Sequence, residues 1–495
     1  MLRAFRNFLR LVGIALILKR YGVLAFWRGE WTADKGRRLS QALHALGPTF
    51  IKLGQALSTR ADLIGQEAAL ALANLQDRLP PFSPDAARAI IEEQLGKPVE
   101  ALFASFEREP TAAASIAQVH FATLLKDGSE VAVKILRPGI EKAFARDLEL
   151  FYWLADLAQR FKPEWKRFRL PEVAATFDEM FTLELDLRFE AAAATKLREN
   201  LKNDRGFYVP KVHWETTAHR VLTTERIRGI PIGDVAALKA TGHDTAKIID
   251  IAAISIFKQV FRDGFFHADL HPGNLFVLPS GDIAVVDFGI MGRLDRQTRI
   301  YLAQIMHGFI TEDYETLAKV HFDAGLVPAH KSVENFTLAL MALAKPIIGH
   351  NLSEVSVGRL LGQLFTTAEA FDMEVQPHLL LLQKNMVITE GVGRMLNPNV
   401  NMWVVAQPLI EDWMRENFGA KARIKDHAKE TVALLRTLPD LLRQAELALV
   451  KVNSGGLRLH PETESSMQAT RSRIHRNWLI FAWAALVVAV VVYFK

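Results

Sequence analysis

Cysteine is absent from all 495 residues, which excludes disulfides, thiolate metal centres and cysteine nucleophiles. Glycine is missing from the whole stretch between Gly96 and Gly128, so no glycine-rich turn there can bring backbone amides close to an anion. No internal repeat or low-complexity tract interrupts the chain, and half of its residues are hydrophobic, so most of it is expected to fold as two or more packed units. One run near the end, Trp478 to Phe494, is both uncharged and almost wholly apolar. The net charge of +5 is concentrated at one end: residues 1–38 hold nine basic side chains against Glu30 and Asp34. A nucleic-acid reader spreads positive charge over a folded face. Here the charge sits among Phe5, Phe8, Leu9, Val12 and Leu16, which favours an anionic membrane surface and excludes nucleic acid as the expected partner.

What the chain does contain is one dense stretch, Phe265-Phe266-His267-Ala268-Asp269-Leu270-His271-Pro272-Gly273-Asn274, followed by Asp287-Phe288-Gly289. Asp269 and Asn274 have the spacing of the kinase catalytic loop H-R-D-L-x-x-x-N. Between the two motifs lies a hairpin pattern, Leu275–Leu278 and Ile283–Val286 around Pro279-Ser280-Gly281-Asp282. Phosphoryl transfer needs a carboxylate near the attacking oxygen, here Asp269. It also needs oxygen ligands that hold Mg²⁺ against the phosphates, here Asn274 and Asp287. Either motif alone is a commonplace; both in order across a tight hairpin point to a nucleotide site.

Upstream, residues 111–230 read as a small lobe. Ser115–Phe121 and Val131–Leu136 are expected strands joined at Lys126-Asp127-Gly128, and Lys134 occupies the place of the V-A-I-K lysine that meets the α- and β-phosphates. One of Glu184, Asp186 and Glu190 is expected to pair with Lys134, with Glu190 the first choice. Val209–Trp214 and Arg220–Thr224 read as two further strands, and Thr224–Ile227, with Glu225 and Ile227, as the hinge that meets adenine through its backbone. The phosphate loop is instead Thr111-Ala112-Ala113-Ala114-Ser115, whose methyl groups limit the approach of backbone amides. Ala268 replaces an arginine, and only Ile290–Leu294 separate Asp-Phe-Gly from renewed helical pattern. No A-P-E segment follows, so a platform for a protein substrate is missing.

The remainder reads as helical. Leu43, Leu46, Phe50, Leu53 and Leu57 recur at helical steps between Leu39 and Leu79, with Lys52, Gln55 and Thr59 on one face, until Pro80, Pro81 and Pro84 end the pattern. Amphipathic segments recur at Tyr301–Phe309, Leu360–Phe371 and Leu379–Met395. His307, His321 and His350 are scattered and read as surface or core residues rather than metal ligands. Trp478 to Phe494 is seventeen uncharged residues preceded by Arg471, Arg473 and Arg476. It is expected to span a bilayer with the body on the cytoplasmic side.

Taken together these residues resemble the UbiB family of atypical kinase-like proteins that serve ubiquinone biosynthesis. The resemblance runs from about Ser40 to Val450. It rests on Lys52-Leu53-Gly54-Gln55 (the family's K-x-G-Q), the alanine-rich loop ending in Ala114-Ser115-Ile116-Ala117-Gln118-Val119-His120, and Glu184-Leu185-Asp186 (its E-x-D). Val131–Lys134, His267–Asn274 and Asp287–Gly289 complete it. It implies an α+β, atypical protein-kinase-like two-lobe fold with an N-terminal helical extension and a C-terminal transmembrane helix. The expected divisions are a basic membrane-surface segment at 1–38, a K-x-G-Q extension at 39–110, the small lobe at 111–230 and a helical large lobe at 231–450. A linker at 451–476 and an anchor at 477–495 follow. Two spans are common in bacterial members, whereas this sequence shows one. The resemblance also implies ATP (or ADP) and Mg²⁺ as cofactors, and Lys52 as a catalytic residue beside Lys134 and Asp269, with Gln55, Glu184 and Asp186 in support. Ala112, Ala113, Ala114, Ser115, Lys134, Glu190, Glu225 and Ile227 would meet the nucleotide. Expected partners are anionic membrane lipid, quinone-biosynthesis intermediates and other enzymes of that route, at a bacterial inner membrane. Two other readings stay open: a small-molecule kinase, since aminoglycoside and choline kinases share the His-x-Asp-Leu-His-x-Gly-Asn loop, and a nucleotide-sensing scaffold without turnover.

Overall fold

The computed structural model describes residues 2–23, 33–58, 72, 79–161, 170–348, 367–368, 370–373, 377–397 and 402–418. The expected span at 477–495, the linker before it, Thr59 and most of Leu360–Phe371 lie outside these residues. Among the described residues no helix is long and apolar enough to cross a membrane.

Helix α1 (Leu2–Arg20) is two-sided. Its inner side, with Leu11, Ile14, Ile17 and Leu18, packs with α2 (Ala33–Leu46) and α3 (Pro48–Ser58). The single helical pattern expected from Leu39 to Leu79 is therefore broken at Gly47, which has φ +106°, a value a side chain disfavours, and Pro48 opens the next helix. After the prolines comes α4 (Pro84–Leu95), capped by the Ser83 hydroxyl, which accepts from the Ala86 amide, and ended by left-handed Gly96.

The first sheet is antiparallel: β1 (Phe103–Phe106), β2 (Ala112–Ala113), β3 (Ala117–Leu124), β4 (Glu130–Leu136) and, after three helices, a short strand and a 3-10 turn, β6 (Val221–Glu225). Alternation along β4 sorts its side chains. Val131, Val133 and Ile135 are buried against Ile90 and Ile91 of α4, while Ala132 and Lys134 face the other way. Next come α5 (Ile140–Phe161), α6 (Leu170–Glu184), α7 (Leu187–Leu201) and the short β5 (Phe207–Tyr208). The strand expected at Val209–Trp214 does not form. That segment touches β6 (Val221–Glu225) through one bridge, Val212 to Thr224, and then closes into a 3-10 turn at Trp214–Thr216. Arg10 of α1 reaches Asp147 of α5 at 2.9 Å, and the Phe50 and Phe151 rings meet edge to face at 5.8 Å.

The large lobe is built on α8 (Thr245–Phe257), which continues into a π-helical turn at Lys258–Asp263. A four-stranded sheet holds β7 (Ile230–Pro231), β9 (Leu275–Val277) and β10 (Ile283–Val285) beside β5, and β8 (Phe265–His267) pairs with β11 (Met291–Arg293). The expected hairpin closes through Leu278 and Asp282, with Gly281 at φ +87°. Helix α9 (Arg296–Ile310) follows β11 after two residues, so the segment after Asp-Phe-Gly is as short as its sequence implies. Helices α10 (Tyr314–Asp323), α11 (Val333–Ile348), α12 (Pro377–Leu396) and α13 (Met402–Phe418) complete the described chain.

His120, His267 and His321 are buried, and burial pushes each imidazole below its ordinary range. The unfolded chain protonates these rings near the reference value of about 6.5. As pH falls it therefore binds protons that the folded chain resists, and stability falls with it. The melting temperature is expected to be flat between about pH 7.5 and 8.5 and to drop from about pH 6.5 downward. Replacing His321, whose Nδ1 meets the Leu317 carbonyl at 2.8 Å, by Gln should flatten that slope; an unchanged slope would show that burial of this ring does not govern it.

Candidate active site

Lys134 projects from β4 between two carboxylates. Its Nζ lies 2.8 and 2.9 Å from the two oxygens of Glu190 and 3.0 Å from Oδ1 of Asp287. Glu190 is on the first turn of α7, so α7 takes the part of the helix that carries the lysine's partner. Glu190 also accepts from the Phe288 amide at 3.3 Å, which links helix, strand and the Asp-Phe-Gly turn in one network. Burial opposes the charge of Lys134, yet Asp287 and Glu190 together hold its pKa above the ordinary lysine range. Asp287 is held well below the carboxylate range: burial would raise it, but Lys134 and Lys52 outweigh that effect.

Asp287 has φ +64°, a left-handed conformation uncommon for a residue with a side chain. Its surroundings enforce it. The His267 ring reaches the Asp287 carbonyl through Nε2 at 2.8 Å, and its Nδ1 lies 3.2 Å from the Asp269 amide. Because an amide can only donate, Nδ1 accepts and the ring proton sits on Nε2. His267 thus ties the two acidic motifs together as a neutral ring.

Asp269 is fixed from several sides. Asn274 donates through Nδ2 to the Asp269 carbonyl at 3.1 Å, which turns the amide oxygen of Asn274 the other way. The Asn274 carbonyl accepts from the Val286 amide at 2.9 Å, so the hairpin sets the distance between the two motifs. The Asp269 carboxylate meets Lys384 Nζ at 3.0 Å and His271 Nε2 at 3.7 Å. Asn385, buried on α12, accepts from the Leu270 amide at 3.2 Å and donates to the His267 carbonyl at 2.9 Å. The fixed donor set, an ionised Asp287 and an amide oxygen from Asn274, suits a hard oxygen-seeking cation such as Mg²⁺. Among the described residues no cluster of three acidic or histidine side chains forms a metal site by itself.

The remaining expected residues divide. Lys52, on α3, pairs with Glu184 at 2.5 Å and contributes its charge to Asp287, so the K-x-G-Q helix reaches the cleft. Gln55 lies one turn further on the same helix. Asp186 is not a partner of Lys134: it caps α7 and pairs with Arg188 at 2.6 Å. The alanine-rich stretch is not an open loop either. Ala112 and Ala113 are in register with Val119 and Gln118, the Ala114 amide bonds the Ala117 carbonyl at 2.8 Å, and Ser115 is buried. Arg137 reaches the Ala114 carbonyl at 2.8 Å and stands over Phe82. The Glu225 side chain accepts from the Tyr208 hydroxyl at 2.7 Å, and the Glu225 amide bonds the Lys211 carbonyl at 2.8 Å. His321 lies in the core edge to face with Phe336, and His350 is outside the described residues.

Sequence reasoning passed over Lys384, Asn385 and Arg137. A signal for Asn385 existed: with Leu382, Thr389, Val392 and Leu396 it stands on the buried side of α12, where an amide must find partners.

Comparison with known proteins agrees with this geometry. Residues 74–321 match the model of the ABC1 atypical kinase-like domain, and residues 340–401 match that of the UbiB helical domain. A Marinobacter nauticus protein named "Probable protein kinase UbiB" is 42% identical over 97% of this chain and 90% of its own length. The chain belongs to the UbiB family. Aeromonas salmonicida has a similarly named UbiB protein, 44% identical over 84% of this chain and 78% of its own. The solved structure of Rv3197 with erythromycin, from Mycobacterium tuberculosis, aligns with a TM-score of 0.53 and 26% identity. That alignment covers 76% of this chain and 96% of Rv3197. The UbiB helical domain contains α12, and with it both side chains that grip the catalytic loop.

Proposed function

We propose that the chain is a membrane-surface ATPase of the atypical kinase-like kind, serving ubiquinone biosynthesis by acting on or presenting lipid-like quinone intermediates. The observation that carries the nucleotide part is the contact of Lys134 with both Glu190 and Asp287, beside a loop that fixes Asp269 and Asn274. Lys134 would meet the α- and β-phosphates, backbone groups of Glu225–Ile227 the base, and Asp287 with Asn274 would hold Mg²⁺. The ion would neutralise phosphate charge. Asp269 would take a proton from the attacking oxygen. The short segment after Asp-Phe-Gly offers no protein-substrate platform, so water or a small lipid-borne hydroxyl is the preferred acceptor.

The membrane part is supported by the outer side of α1. Phe5 (62% exposed), Phe8, Leu9, Val12 and Leu16 (62%) form one exposed apolar stripe, while Arg6 and Arg10 are turned to α5. Such a stripe beside terminal Lys19 and Arg20 suits an anionic interface.

Mg-ATP hydrolysis by the full chain, with and without vesicles containing anionic phospholipid, tests both parts. Turnover stimulated by vesicles, and stimulation lost in Phe5→Asp/Phe8→Asp, is the expected result. Turnover indifferent to vesicles would remove the membrane part. Nucleotide binding without hydrolysis would favour a sensing scaffold, and a phosphorylated soluble alcohol a small-molecule kinase.

A further inference from the structure

Among the described residues three lysines reach the acidic groups of the cleft, and two of them face partners other than Asp269: Lys134 is with Glu190 and Asp287, and Lys52 is with Glu184. The third, Lys384, comes from α12, more than a hundred residues beyond the catalytic loop, and its ammonium lies 3.0 Å from Asp269 Oδ1. The other carboxylate oxygen faces His271, whose Nδ1 accepts from the Gly273 amide at 3.0 Å and whose Nε2 therefore bears the hydrogen. The Asp269 backbone is bound at both its amide and its carbonyl. Lys384 and His271 then decide the orientation of the carboxylate. Lys384 is itself held in place, because its neighbour Asn385 bonds the loop on both sides of Asp269, at His267 and Leu270. Consecutive residues of one helix grip the loop backbone and its acidic side chain.

We propose that Lys384 is a positioning residue for phosphoryl transfer, so that the helical domain completes the active site rather than flanking it. This rests on the ATPase reading above. In the step concerned, a water oxygen bonds the γ-phosphorus and a water proton passes to the Asp269 carboxylate. The bond from phosphorus to the bridging oxygen breaks, and ADP leaves with that electron pair. Lys384 holds the Asp269 carboxylate aimed at the water. An ion pair without this role would contribute nothing to the chemical step.

The test is steady-state Mg-ATP hydrolysis by full-length wild type, Lys384→Met, Lys384→Arg, Asp269→Asn and the double variant Asp269→Asn/Lys384→Met, with melting temperatures measured alongside. Lys384→Met is expected to lower kcat on the order of 10²-fold, with KM for Mg-ATP changed less than about threefold, because misplacing a catalytic group by about an ångström has that cost. Lys384→Arg should recover most of the loss, which a role limited to packing would not require. The double variant should be no slower than Asp269→Asn, since the two residues act as one unit. Wild-type kcat in Lys384→Met, a rise in KM alone, or additive losses in the double variant would each overturn the proposal. A wild type that binds Mg-ATP without hydrolysing it would overturn the ATPase reading and this inference with it. Turnover in the wild type with an unaffected Lys384→Met removes only the inference.

Discussion

Asp287→Asn is expected to lower Mg-ATP turnover by about 10³-fold while leaving the melting temperature within a few degrees of wild type. Asparagine accepts the left-handed backbone found at φ +64° more readily than other side chains, and it preserves the carbonyl that receives His267. What it removes is charge. Lys134 would keep Glu190 but lose its second counter-ion, and the cation site would be left with two neutral amides. Groups placed to stabilise charge in the transition state are worth about 10²–10³ each when deleted, and this one would hold the metal as well as order Lys134. Asp287→Ala separates the two effects. It should be equally inactive and also less stable by about 1–2 kcal/mol, since alanine pays the left-handed penalty without the local hydrogen bonding of Asp or Asn. More than a tenth of wild-type turnover in Asp287→Asn would show that Asp287 is not a metal ligand.

Gly292→Ala should be strongly destabilising for so small a substitution. A Cβ at Gly292 would stand 2.1 Å from Cζ of Phe266 and 2.4 and 2.6 Å from its Cε atoms. The two residues are in direct register between β11 and β8, and Phe266 is fully buried, so the ring has nowhere to go without moving the strand. Overpacking of this kind costs about 1–3 kcal/mol, and a fully enclosed ring against backbone belongs toward the upper end. Strand β8 runs directly into His267 and Asp269, so kcat should fall together with the melting temperature. Phe266→Leu introduced into Gly292→Ala should recover part of both. A melting temperature equal to wild type would show that β8 and β11 can separate without cost.

The site was legible where chemistry dictates close spacing. Asp269, Asn274 and Asp287 are joined by a hairpin of few residues, and local turn chemistry delivers their geometry. Glu190 was legible as the partner of Lys134, although Glu184 and Asp186 lay near enough in sequence to compete. The structure separates the three by their place on the helices: Glu184 ends α6, Asp186 caps α7, and Glu190 faces the sheet from its first turn. The break at Gly47-Pro48 was written in residues that disfavour helix, but periodicity carried the reading across it. The segment at Val209–Trp214 has strand composition but meets β6 only around Val212, a tertiary outcome that propensity does not contain. Lys384 could not be found from spacing at all. Contact between residues so far apart depends on how α12 lies on the loop, and a lysine on an amphipathic helix is otherwise a solvated one.

The grip of Asn385 on His267 and Leu270 has a consequence for how the protein is made. A chain emerging from the ribosome exposes its catalytic loop long before α12 has been synthesised, and domains fold from the N-terminus as they appear. Until Asn385 and Lys384 arrive, the loop amide of Leu270 and the carboxylate of Asp269 must find water instead. The nascent lobe would therefore stay loosely ordered at the very point where it would do chemistry. A premature stop anywhere ahead of α12 would yield a product with every recognisable motif and no assembled centre. Assembly of the centre in such a chain waits for the synthesis of α12.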